Sequence, residues 1–399
     1  MEVKIIQINA SYKPDYVYGG PALSVSRLCE GLVRHGAHLE VLTTTANGNQ
    51  ELPVKANRRV VVDNVPVTYF KRLTKDHTHF SPDLFNNLRQ RIKDLKQQPR
   101  KDVTEDQNST SLIIHIHAWW NLVSIFSCLI AKLYKVPVIL TPRGTLSNYS
   151  FGNRNAGIKN YIHRFLGKRL LEYCHIHVTS EKERNDILKL VKPRSITVIP
   201  NFVYLPDINT FKSITPTDKK QVKLLFLSRI EQKKGLEMLF KALAQINLPF
   251  ELNIAGTGET SYIDSLKSLA SELKIADNLN WLGQKDQEEK WLVMQNHDML
   301  ILPSYDENFA NVVIECLATG TPVVVTDKVG LADYVQKKGF GWICTPNVDS
   351  IKKTLIRAFE DKSLMNFTRE NAPLQIRNDF DEDTLIKDFL NMYSNILSK

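Results

Sequence analysis

The sequence predicts an α/β fold built from two Rossmann-like domains that face each other across a cleft. Short β-branched runs alternate with amphipathic stretches through both halves of the chain, and this alternation implies parallel sheets covered by helices on both faces. The length of 399 residues exceeds what one hydrophobic core usually absorbs. A polar stretch without an apolar period, Leu205–Gln221, separates the halves and predicts a linker.

Each half contributes its own strands and helices. In the first half the predicted strands are Val3–Ile8, Leu39–Thr43, Leu112–His117, Val136–Thr141, His175–Thr179 and Ile196–Pro200. The helices predicted between them are Ala22–Arg34, Pro82–Lys96, Asn121–Tyr134, Ile158–Leu171 and Ser180–Leu190. In the second half the predicted strands are Val222–Leu227, Glu251–Ala255, Leu279–Leu282, Met299–Leu302 and Val323–Val325, and a helical apolar face over Phe380–Leu397 predicts a final helix. Ligands of open α/β sheets bind beyond the carboxyl ends of the strands, so polar residues at those ends are the candidate site residues.

Charge is distributed unevenly along the chain. Residues 1–210 carry 29 Lys and Arg against 17 Asp and Glu, whereas the remainder carries 23 against 26. The basic half predicts either an ordinary solvated surface or a face for an anionic partner, such as a phosphate-bearing substrate or a bilayer. A basic stripe with interleaved aromatic residues is lacking in the sequence, so nucleic-acid binding is not expected.

The remaining composition favours a cytoplasmic protein. Five scattered cysteines without C-x-x-C pairing argue against a zinc site and against a disulfide framework. The first residues have no basic region or cleavage site, so we expect no secretion signal. The apolar stretch Val123–Leu140 carries Lys132, Lys135 and Pro137, so we expect a helix followed by a buried strand rather than a membrane span.

The segment Ser304–Pro322 carries the strongest functional pattern. It follows a predicted buried strand, and a turn opens a helix that starts near Asn311. The unpaired N–H groups and partial positive charge of a helix N-terminus suit a diphosphate. Glu307, in the turn, can reach a sugar hydroxyl, and Glu315, one turn inside the helix, can accept two hydrogen bonds from a ribose diol. On spacing alone, an ordinary strand–turn–helix with two surface glutamates is an equally good interpretation.

Other strand ends carry histidine or basic residues. Arg229 and Lys234 follow the first strand of the second half, where two cations can neutralise a β-phosphate, although two solvated side chains are the alternative. Strand alternation puts His115 and His117 on the same face, but no third ligand cluster stands out, so we expect no metal. Arg143 suits an acceptor phosphate or hydroxyl, with a structural salt bridge as the alternative.

Glycines after strands form a further set of candidates. Gly19 and Gly20 follow the first strand and let a backbone approach a ligand closely, but they are not the G-x-G-x-x-G of a dinucleotide site. Gly256 and the segment around Leu282 end two strands of the second half. These last two can equally be plain β–α turns, and a lone Gly-Gly pair is weak evidence by itself.

Together these segments resemble the retaining glycosyltransferases of family 4. The resemblance rests on the E-x7-E pattern of Glu307 and Glu315, on the Arg229 and Lys234 pair and on the double-glycine loop, and it extends over nearly the whole chain. It implies the GT-B fold, in which a C-terminal helix returns to the N-terminal domain. The implied domains are 1–203 plus 380–399 on the acceptor side and 204–379 for the nucleotide sugar.

The resemblance also assigns roles to residues. The catalytic residues that it implies are His117, Arg229, Lys234 and Glu307, with Arg143 on the acceptor side. The donor-binding residues that it implies are Gly19, Gly20, Gly256, Leu282, Glu307, Phe309, Ala310, Asn311, Val312, Val313 and Glu315.

The implied activity is transfer of a hexose-type sugar, with retention of configuration, from a UDP- or GDP-sugar to a glycan or lipid-linked acceptor in bacterial surface polysaccharide or glycan assembly. No metal or other cofactor is expected. Two alternatives stay open: a synthase or phosphorylase of the same fold that uses a sugar phosphate, and an inactive protein that binds sugar nucleotides. The basic amphipathic stretches Pro82–Lys96 and Ile158–Leu171 further predict a peripheral contact with an anionic membrane, at the inner face of the plasma membrane.

Overall fold

The structure, a computed structural model, describes residues 3–14, 20–97, 111–147, 163–206 and 221–398. The chain divides into two compact units, the first formed by Met1–Phe202 with Glu382–Lys399 and the second by Val203–Asp381. Gly19, most of the expected linker and the first five residues of the helix expected over Ile158–Leu171 lie outside the described residues.

The first unit is a mixed sheet with helices between its strands. Its strands are β1 (Val3–Ile8), β2 (His38–Thr44), β3 (Ala46–Asn47), β4 (Gln50–Glu51), β5 (Arg59–Val62), β6 (Val65–Phe70), β7 (Ser111–His117), β8 (Val138–Thr141), β9 (His175–Val178) and β10 (Ser195–Val198). Its helices are α1 (Gly20–Arg34), α2 (Pro82–Gln97), α3 (Leu122–Leu133), α4 (Lys168–Leu171) and α5 (Glu181–Leu190), together with the last helix of the chain, Glu382–Leu397, labelled α13.

The strand order of this sheet is β10-β9-β8-β7-β1-β2-β6-β5, and β3 and β4 pair with each other in a separate two-stranded antiparallel sheet. All neighbours in the larger sheet are parallel except β5 and β6. The strand order reverses between β1 and β7, where Ile8 lies beside Ile116. A reversal of this kind opens a crevice at the carboxyl ends of the strands, which is where doubly wound folds bind ligands. His117, the last residue of β7, therefore lies at the switch point of this sheet.

Two parts of the first unit differ from the sequence prediction. The hairpin of β5 and β6 was not expected, although Asp63 and Asn64 have the positive φ angles, 48° and 63°, that favour a tight two-residue turn. The helix predicted over Ile158–Leu171 is helical in its described part, but not as one regular α-helix. There, His163–Gly167 forms a π-helical turn, and only the last four residues are α-helical.

The second unit is a six-stranded parallel sheet. Its strands are β11 (Val222–Leu227), β12 (Phe250–Ala255), β13 (Leu279–Gly283), β14 (Met299–Leu302), β15 (Val323–Thr326) and β16 (Gly341–Cys344). Its helices are α6 (Leu236–Leu243), α7 (Thr260–Glu272), α8 (Gln287–Gln295), α9 (Asn311–Ala318), α10 (Ala332–Lys338), α11 (Val348–Glu360) and α12 (Lys362–Asp379), with short 3-10 turns at Gln232–Lys234 and Ala276–Asn278. The strand order β13-β12-β11-β14-β15-β16 puts the switch point between β11 and β14.

The C-terminal helix α13 packs into the first unit, which confirms that it returns to the N-terminal domain. Its buried face includes Ile386, Phe389 and Tyr393, and a Cβ on Gly31 of α1 would lie 2.5 Å from the Cδ1 atom of Ile386. Acidic residues in its first turn favour the positive end of the helix dipole. One of them, Glu382, also pairs with Arg34 at the end of α1.

Amphipathic helix α2 uses its apolar face for the core of its own unit. Leu84, Phe85, Leu88 and Ile92 are buried there. The apolar face is thus not available for insertion into a bilayer, and only the basic side chains of this helix can face an anionic surface. Among the described residues, no helix is both long and apolar enough to cross a membrane.

Candidate active site

Two loops meet at the switch point of the second unit. One follows β11 and carries Arg229 and Lys234, and the other follows β14 and leads to α9. The N–H of Tyr305 donates to the carbonyl of Lys233 at 2.9 Å, which ties the second loop to the 3-10 turn of the first. Lys233 adds an ion pair with Asp306 at 3.4 Å. The sequence separates the two loops by about 70 residues, and the fold places them in contact.

Gly235 makes this approach possible. Its φ of 74° lies in the left-handed region, and a Cβ there would lie 2.2 Å from the carbonyl oxygen of Pro303. Only a residue without a side chain fits both the backbone conformation and the space. Gly235 therefore sets the distance between Lys234 and the loop after β14.

Lys234 and Glu307 form an ion pair at this junction. Both side chains are largely buried, with exposed fractions of 10% and 20%. The backbone of Glu307 is held on both sides, because its N–H donates to Lys328 at 3.0 Å and its carbonyl accepts from Gly330 at 2.9 Å. The two residues that were predicted as separate ligand contacts are thus direct partners of each other.

Arg229 lies differently from Lys234. Its side chain is 79% exposed, and its guanidinium pairs with Glu231 at 3.1 Å. An exposed pair of this kind contributes about 0–1 kcal/mol, so the guanidinium can exchange this partner for an anionic ligand at little cost.

Helix α9 begins at Asn311, as the sequence predicts, and ends before Gly320, which has a φ of 80°. Ala310 precedes it in the left-handed region, with φ 72° and ψ 72°. The side chain of Phe309 is buried and packs edge-on against Phe380, so only its backbone can contact a donor. The amide of Val313 already donates to Ala310 at 2.9 Å, so a diphosphate would have to compete with that bond.

Glu315 has a partner that the sequence analysis missed. Its Oε1 accepts from the Nζ of Lys290 at 2.6 Å, and the two side chains are only 13% and 16% exposed. Lys290 lies on α8, with its Nζ 4.8 Å from the centre of the Trp291 ring. A lysine on a neighbouring helix gives no local signal in the sequence, so spacing could not reveal this pair.

The glycine turn after β12 supports the Arg229 loop. A Cβ on Gly256, which has a φ of 142°, would lie 1.9 Å from the carbonyl of Ser228. The N–H of Ile230 donates to Thr257 at 2.7 Å, and the N–H of Gly256 donates to Gly283 at 2.8 Å. The ends of β11, β12 and β13 thus pack backbone against backbone. Leu282, in β13, packs partly buried against the core.

In the first unit, His117 lies fully buried at the end of β7. Its Nε2 contacts the Oε1 of Gln7 at 2.8 Å, whereas its Nδ1 has no hydrogen-bond partner among the described residues. Burial, reinforced by the neighbouring His115 ring, holds the pKa of His117 well below its ordinary value, so the ring is neutral. His115 contacts Tyr393 and Thr141 through its two nitrogens, as a structural residue would. Gly20, also predicted here, is the first residue of α1.

Arg143 makes neutral contacts in the same unit. Its Nη1 donates to the Oγ of Ser24 at 2.7 Å and to the Oδ1 of Asn201 at 3.2 Å. Burial lowers the pKa of Arg143 to about 10, against an opposing contribution from Glu183, so the side chain stays charged at neutral pH. Glu183 itself accepts from the N–H of Gly144 at 2.7 Å and holds the turn in which Arg143 lies.

No three His, Cys, Asp or Glu side chains converge as metal ligands within the part of the chain that the structure describes. The nitrogens of His115 both contact protein hydroxyl groups, which explains why the H-x-H pair does not form such a site. All five cysteines are buried and free.

Two family models match the chain. The model described as Glycosyl transferases group 1 matches residues 207–375, and the model described as Glycosyltransferase Family 4 matches residues 18–205. The chain belongs to the group 1 glycosyltransferases. The predicted family and the predicted enzyme class are therefore confirmed.

Individual proteins resemble this glycosyltransferase along its length. An uncharacterized glycosyltransferase of Methanocaldococcus jannaschii is 25% identical, over 98% of each chain. Sucrose-phosphate synthase from Thermosynechococcus elongatus superposes with a TM-score of 0.72 at 19% identity, over 99% of each chain. HepE from Anabaena in complex with UDP and glucose superposes with a TM-score of 0.69 at 17% identity, over 98% of this glycosyltransferase and 99% of HepE. These likenesses confirm the GT-B fold class.

Proposed function

We propose that this glycosyltransferase moves a hexose-type sugar, with retention of configuration, from a UDP- or GDP-sugar to a glycan or lipid-linked acceptor in surface polysaccharide or glycan assembly. The proposal rests on the Lys234–Glu307 pair at the switch point of the second unit, next to the start of α9. Ligands of doubly wound sheets bind at this place, and helix N-termini favour diphosphates.

The ion pair suggests how a donor would be received. A bound diphosphate offers Lys234 a more highly charged partner than the carboxylate of Glu307, so the ammonium would turn to the phosphate. Glu307 would then be free to accept hydrogen bonds from the sugar hydroxyls. Arg229 would exchange Glu231 for the same phosphate, and Glu315 would bind the ribose diol. HepE, whose structure holds UDP and glucose, supports a nucleotide sugar as the donor class.

Retention follows in this proposal from attack on the face that the diphosphate leaves. The bond between the anomeric carbon and the phosphate oxygen breaks, the acceptor oxygen bonds to that carbon, and the acceptor proton passes to the departing phosphate. Lys234 and Arg229 would stabilise the negative charge that grows on the phosphate, which is the task that a metal ion performs in other enzymes. We therefore propose that transfer requires no metal.

The acceptor belongs, in this proposal, to the first unit. Arg143 is charged, and its contacts are neutral groups that an acceptor phosphate or hydroxyl can replace. The net positive charge of residues 1–210 favours an anionic or lipid-linked acceptor and an electrostatic contact with an anionic membrane. The buried apolar face of α2 makes that contact superficial and salt-sensitive.

The test compares two adjacent lysines. We expect Lys234→Met to lower kcat/KM for sugar transfer by about 100-fold or more, because it removes a charge aimed at the leaving group. Lys233→Met is the matched control, since Lys233 pairs with Asp306 instead, and it should stay within about threefold of wild type. Equal losses in both variants, or none, would contradict the proposed role of the pair.

The donor is identified by a thermal-shift panel of UDP-, GDP- and ADP-sugars, since a ligand at 100 times its Kd stabilises the folded state by about 2.7 kcal/mol. A sugar 1-phosphate in the same panel distinguishes a phosphorylase or a sugar-phosphate synthase. Binding of a nucleotide sugar without any transfer to added glycans or lipid-linked saccharides would indicate the inactive binding protein.

A further inference from the structure

Six polar side chains form a buried cluster in the first unit. They come from β1, β7, β8, β9 and α13, and each is at most 1% exposed to solvent. The six residues are Gln7, His115, His117, Thr141, His177 and Tyr393. Buried polar groups are costly unless they are hydrogen-bonded, so a cluster of this size requires a specific arrangement of its protons.

The contacts of the cluster form a single chain. His117 Nε2 lies 2.8 Å from Gln7 Oε1, and Gln7 Nε2 lies 3.1 Å from the hydroxyl of Tyr393. That hydroxyl lies 2.8 Å from His115 Nδ1, whose ring contacts Thr141 Oγ1 through Nε2 at 2.7 Å.

The chain ends on a backbone carbonyl. Thr141 Oγ1 lies 2.8 Å from His177 Nδ1, and His177 Nε2 lies 2.8 Å from the carbonyl oxygen of Ile199. A carbonyl can only accept, so the proton of His177 must be on Nε2. Burial lowers the pKa of His177 to about 3, so its ring carries one proton at neutral pH and its Nδ1 accepts.

The Ile199 carbonyl fixes the position of every other proton in this series of hydrogen bonds. Thr141 must donate its only proton to His177, so it accepts from His115 Nε2, and His115 Nδ1 accepts from the Tyr393 hydroxyl. The Tyr393 oxygen accepts from the amide of Gln7, and Gln7 Oε1 then accepts from His117 Nε2. The reverse order would require the Ile199 carbonyl to donate, which is impossible.

The proton of His117 is therefore on Nε2, and its Nδ1 carries a buried lone pair. That atom has no partner among the described residues. Other buried side-chain atoms among the described residues share this condition, so the place of the atom decides its meaning. This one lies on the last residue of β7, at the strand-order switch of its sheet, where doubly wound folds bind ligands.

We propose that Gln7, Tyr393, His115, Thr141 and His177 are positioning residues that hold His117 in one tautomer, with Nδ1 as an obligate acceptor for a hydroxyl group of a bound sugar. The proposal rests on the proposed function. The fixed tautomer makes the site selective for a sugar that carries this hydroxyl. A sugar that lacks it leaves the lone pair of Nδ1 unsatisfied, which lowers kcat/KM by about 10- to 100-fold.

Thr141→Val tests the series of hydrogen bonds at a point four bonds away from His117. Valine keeps the shape of threonine and removes the hydroxyl that links His115 to His177. The Gln7 amide can then turn over, which exchanges its oxygen and nitrogen, and the remaining links reverse: His115 donates to Tyr393, Tyr393 donates to Gln7 Oε1, and Gln7 Nε2 donates to His117 Nε2. His117 then carries its proton on Nδ1. Thr141→Ser, which keeps the hydroxyl, is the matched control.

The first readout is ¹⁵N NMR of the histidine rings in the full chain. We expect wild type and Thr141→Ser to show His117 protonated on Nε2 alone, and Thr141→Val to show His117 protonated on Nδ1 in a substantial population. An unchanged His117 tautomer in Thr141→Val would overturn the coupling. If Thr141→Val does not fold, Tyr393→Phe interrupts the same chain between Gln7 and His115, and it must likewise alter the His117 tautomer.

The second readout is transfer from donors and to acceptors that each lack a single hydroxyl. Wild type and Thr141→Ser should discriminate by about 10- to 100-fold against one deoxy sugar and against the deoxyfluoro sugar of the same position, because neither can donate to Nδ1. In Thr141→Val the protonated Nδ1 can donate to a hydroxyl or to fluorine, so this variant should still reject the deoxy sugar but lose most of the discrimination against the deoxyfluoro sugar. Equal use of all deoxy sugars by wild type would overturn the sugar contact while leaving the proposed function intact. A wild-type enzyme that transfers from no nucleotide sugar would instead contradict the proposed function, and the NMR result would still decide the tautomer.

Discussion

Replacing Gly235 by alanine should separate the two loops that bring Lys234 to Glu307. The new Cβ would lie 2.2 Å from the carbonyl oxygen of Pro303, where ordinary contact begins at 3.4 Å. The loops must therefore move apart by about 1 Å. Gly339, in the same unit, provides a matched control, because its φ of 67° is close to the 74° of Gly235 and its nearest potential clash is at 4.0 Å.

The expected cost has two parts. Alanine in the left-handed region costs about 1–2 kcal/mol at either position. Forcing a methyl group against the backbone of Pro303 adds about 1–3 kcal/mol at Gly235 alone. We therefore expect Gly235→Ala to lower the free energy of unfolding by about 2–5 kcal/mol and Gly339→Ala by about 1–2 kcal/mol.

Hydrogen exchange followed by mass spectrometry over a urea series measures this cost, because it resolves the transition of each unit in the full chain. Transfer activity measures the displacement, since a shift of about 1 Å costs about 100-fold in rate when it misplaces a catalytic group. Gly339→Ala should keep its activity. If Gly235→Ala matched Gly339→Ala in both measurements, Gly235 would not control the spacing of the loops.

Two further predictions concern charged pairs in the second unit. Glu315→Gln should weaken nucleoside diphosphate binding about 10- to 100-fold and abolish the preference for a ribose over a 2′,3′-dideoxyribose, whereas Lys290→Met should keep that preference. Calorimetric titration measures both affinities. A preference for ribose that survives in Glu315→Gln refutes the ribose contact. Burial acts to raise the pKa of Asp379, but hydrogen bonds from Lys338 at 2.7 Å and Tyr334 at 2.8 Å outweigh it and lower the pKa. The stabilisation from a lowered carboxyl pKa is complete above the unfolded value of about 3.9 and is lost as pH falls through the folded value. Asp379→Asn should thus be less stable than wild type by about 1 kcal/mol at pH 6, and the difference should shrink at pH 3; a constant difference in urea midpoint would contradict the pairing.

Features that depend on neighbouring residues were predictable from the sequence. The start of α9 at Asn311 and its end before Gly320 follow from local turn and capping chemistry. The Asp63-Asn64 pair is a local signal of the same kind for the tight turn between β5 and β6. The alternation of strands and helices likewise predicts the parallel strands of both sheets, because strands that helices cover on both faces form nearly continuous apolar runs. The antiparallel β5 is the exception in the first sheet.

Contacts between distant residues were not predictable in this way. Lys290 lies 25 residues before Glu315 on another helix, and Tyr393 lies 278 residues after His115. Nothing in the local pattern around either residue selects its partner, since tertiary packing brings them together. His115 was expected to be structural, but the proton order that it transmits depends on a carbonyl at Ile199 that only the fold places there.

The return of α13 to the first unit has a consequence for biosynthesis. The chain leaves that unit at Phe202 and re-enters it at Glu382, so the second unit is made in between. Tyr393, which accepts a hydrogen bond from Gln7, lies 386 residues after it. Synthesis of that stretch takes about 20–80 s at translation rates of about 5–20 residues per second. During this time the core residues that pack against α13, and the side chains of Gln7 and His115, lack the partners that α13 provides. The N-terminal unit, although its synthesis begins first, therefore receives its last helix only at the end of translation.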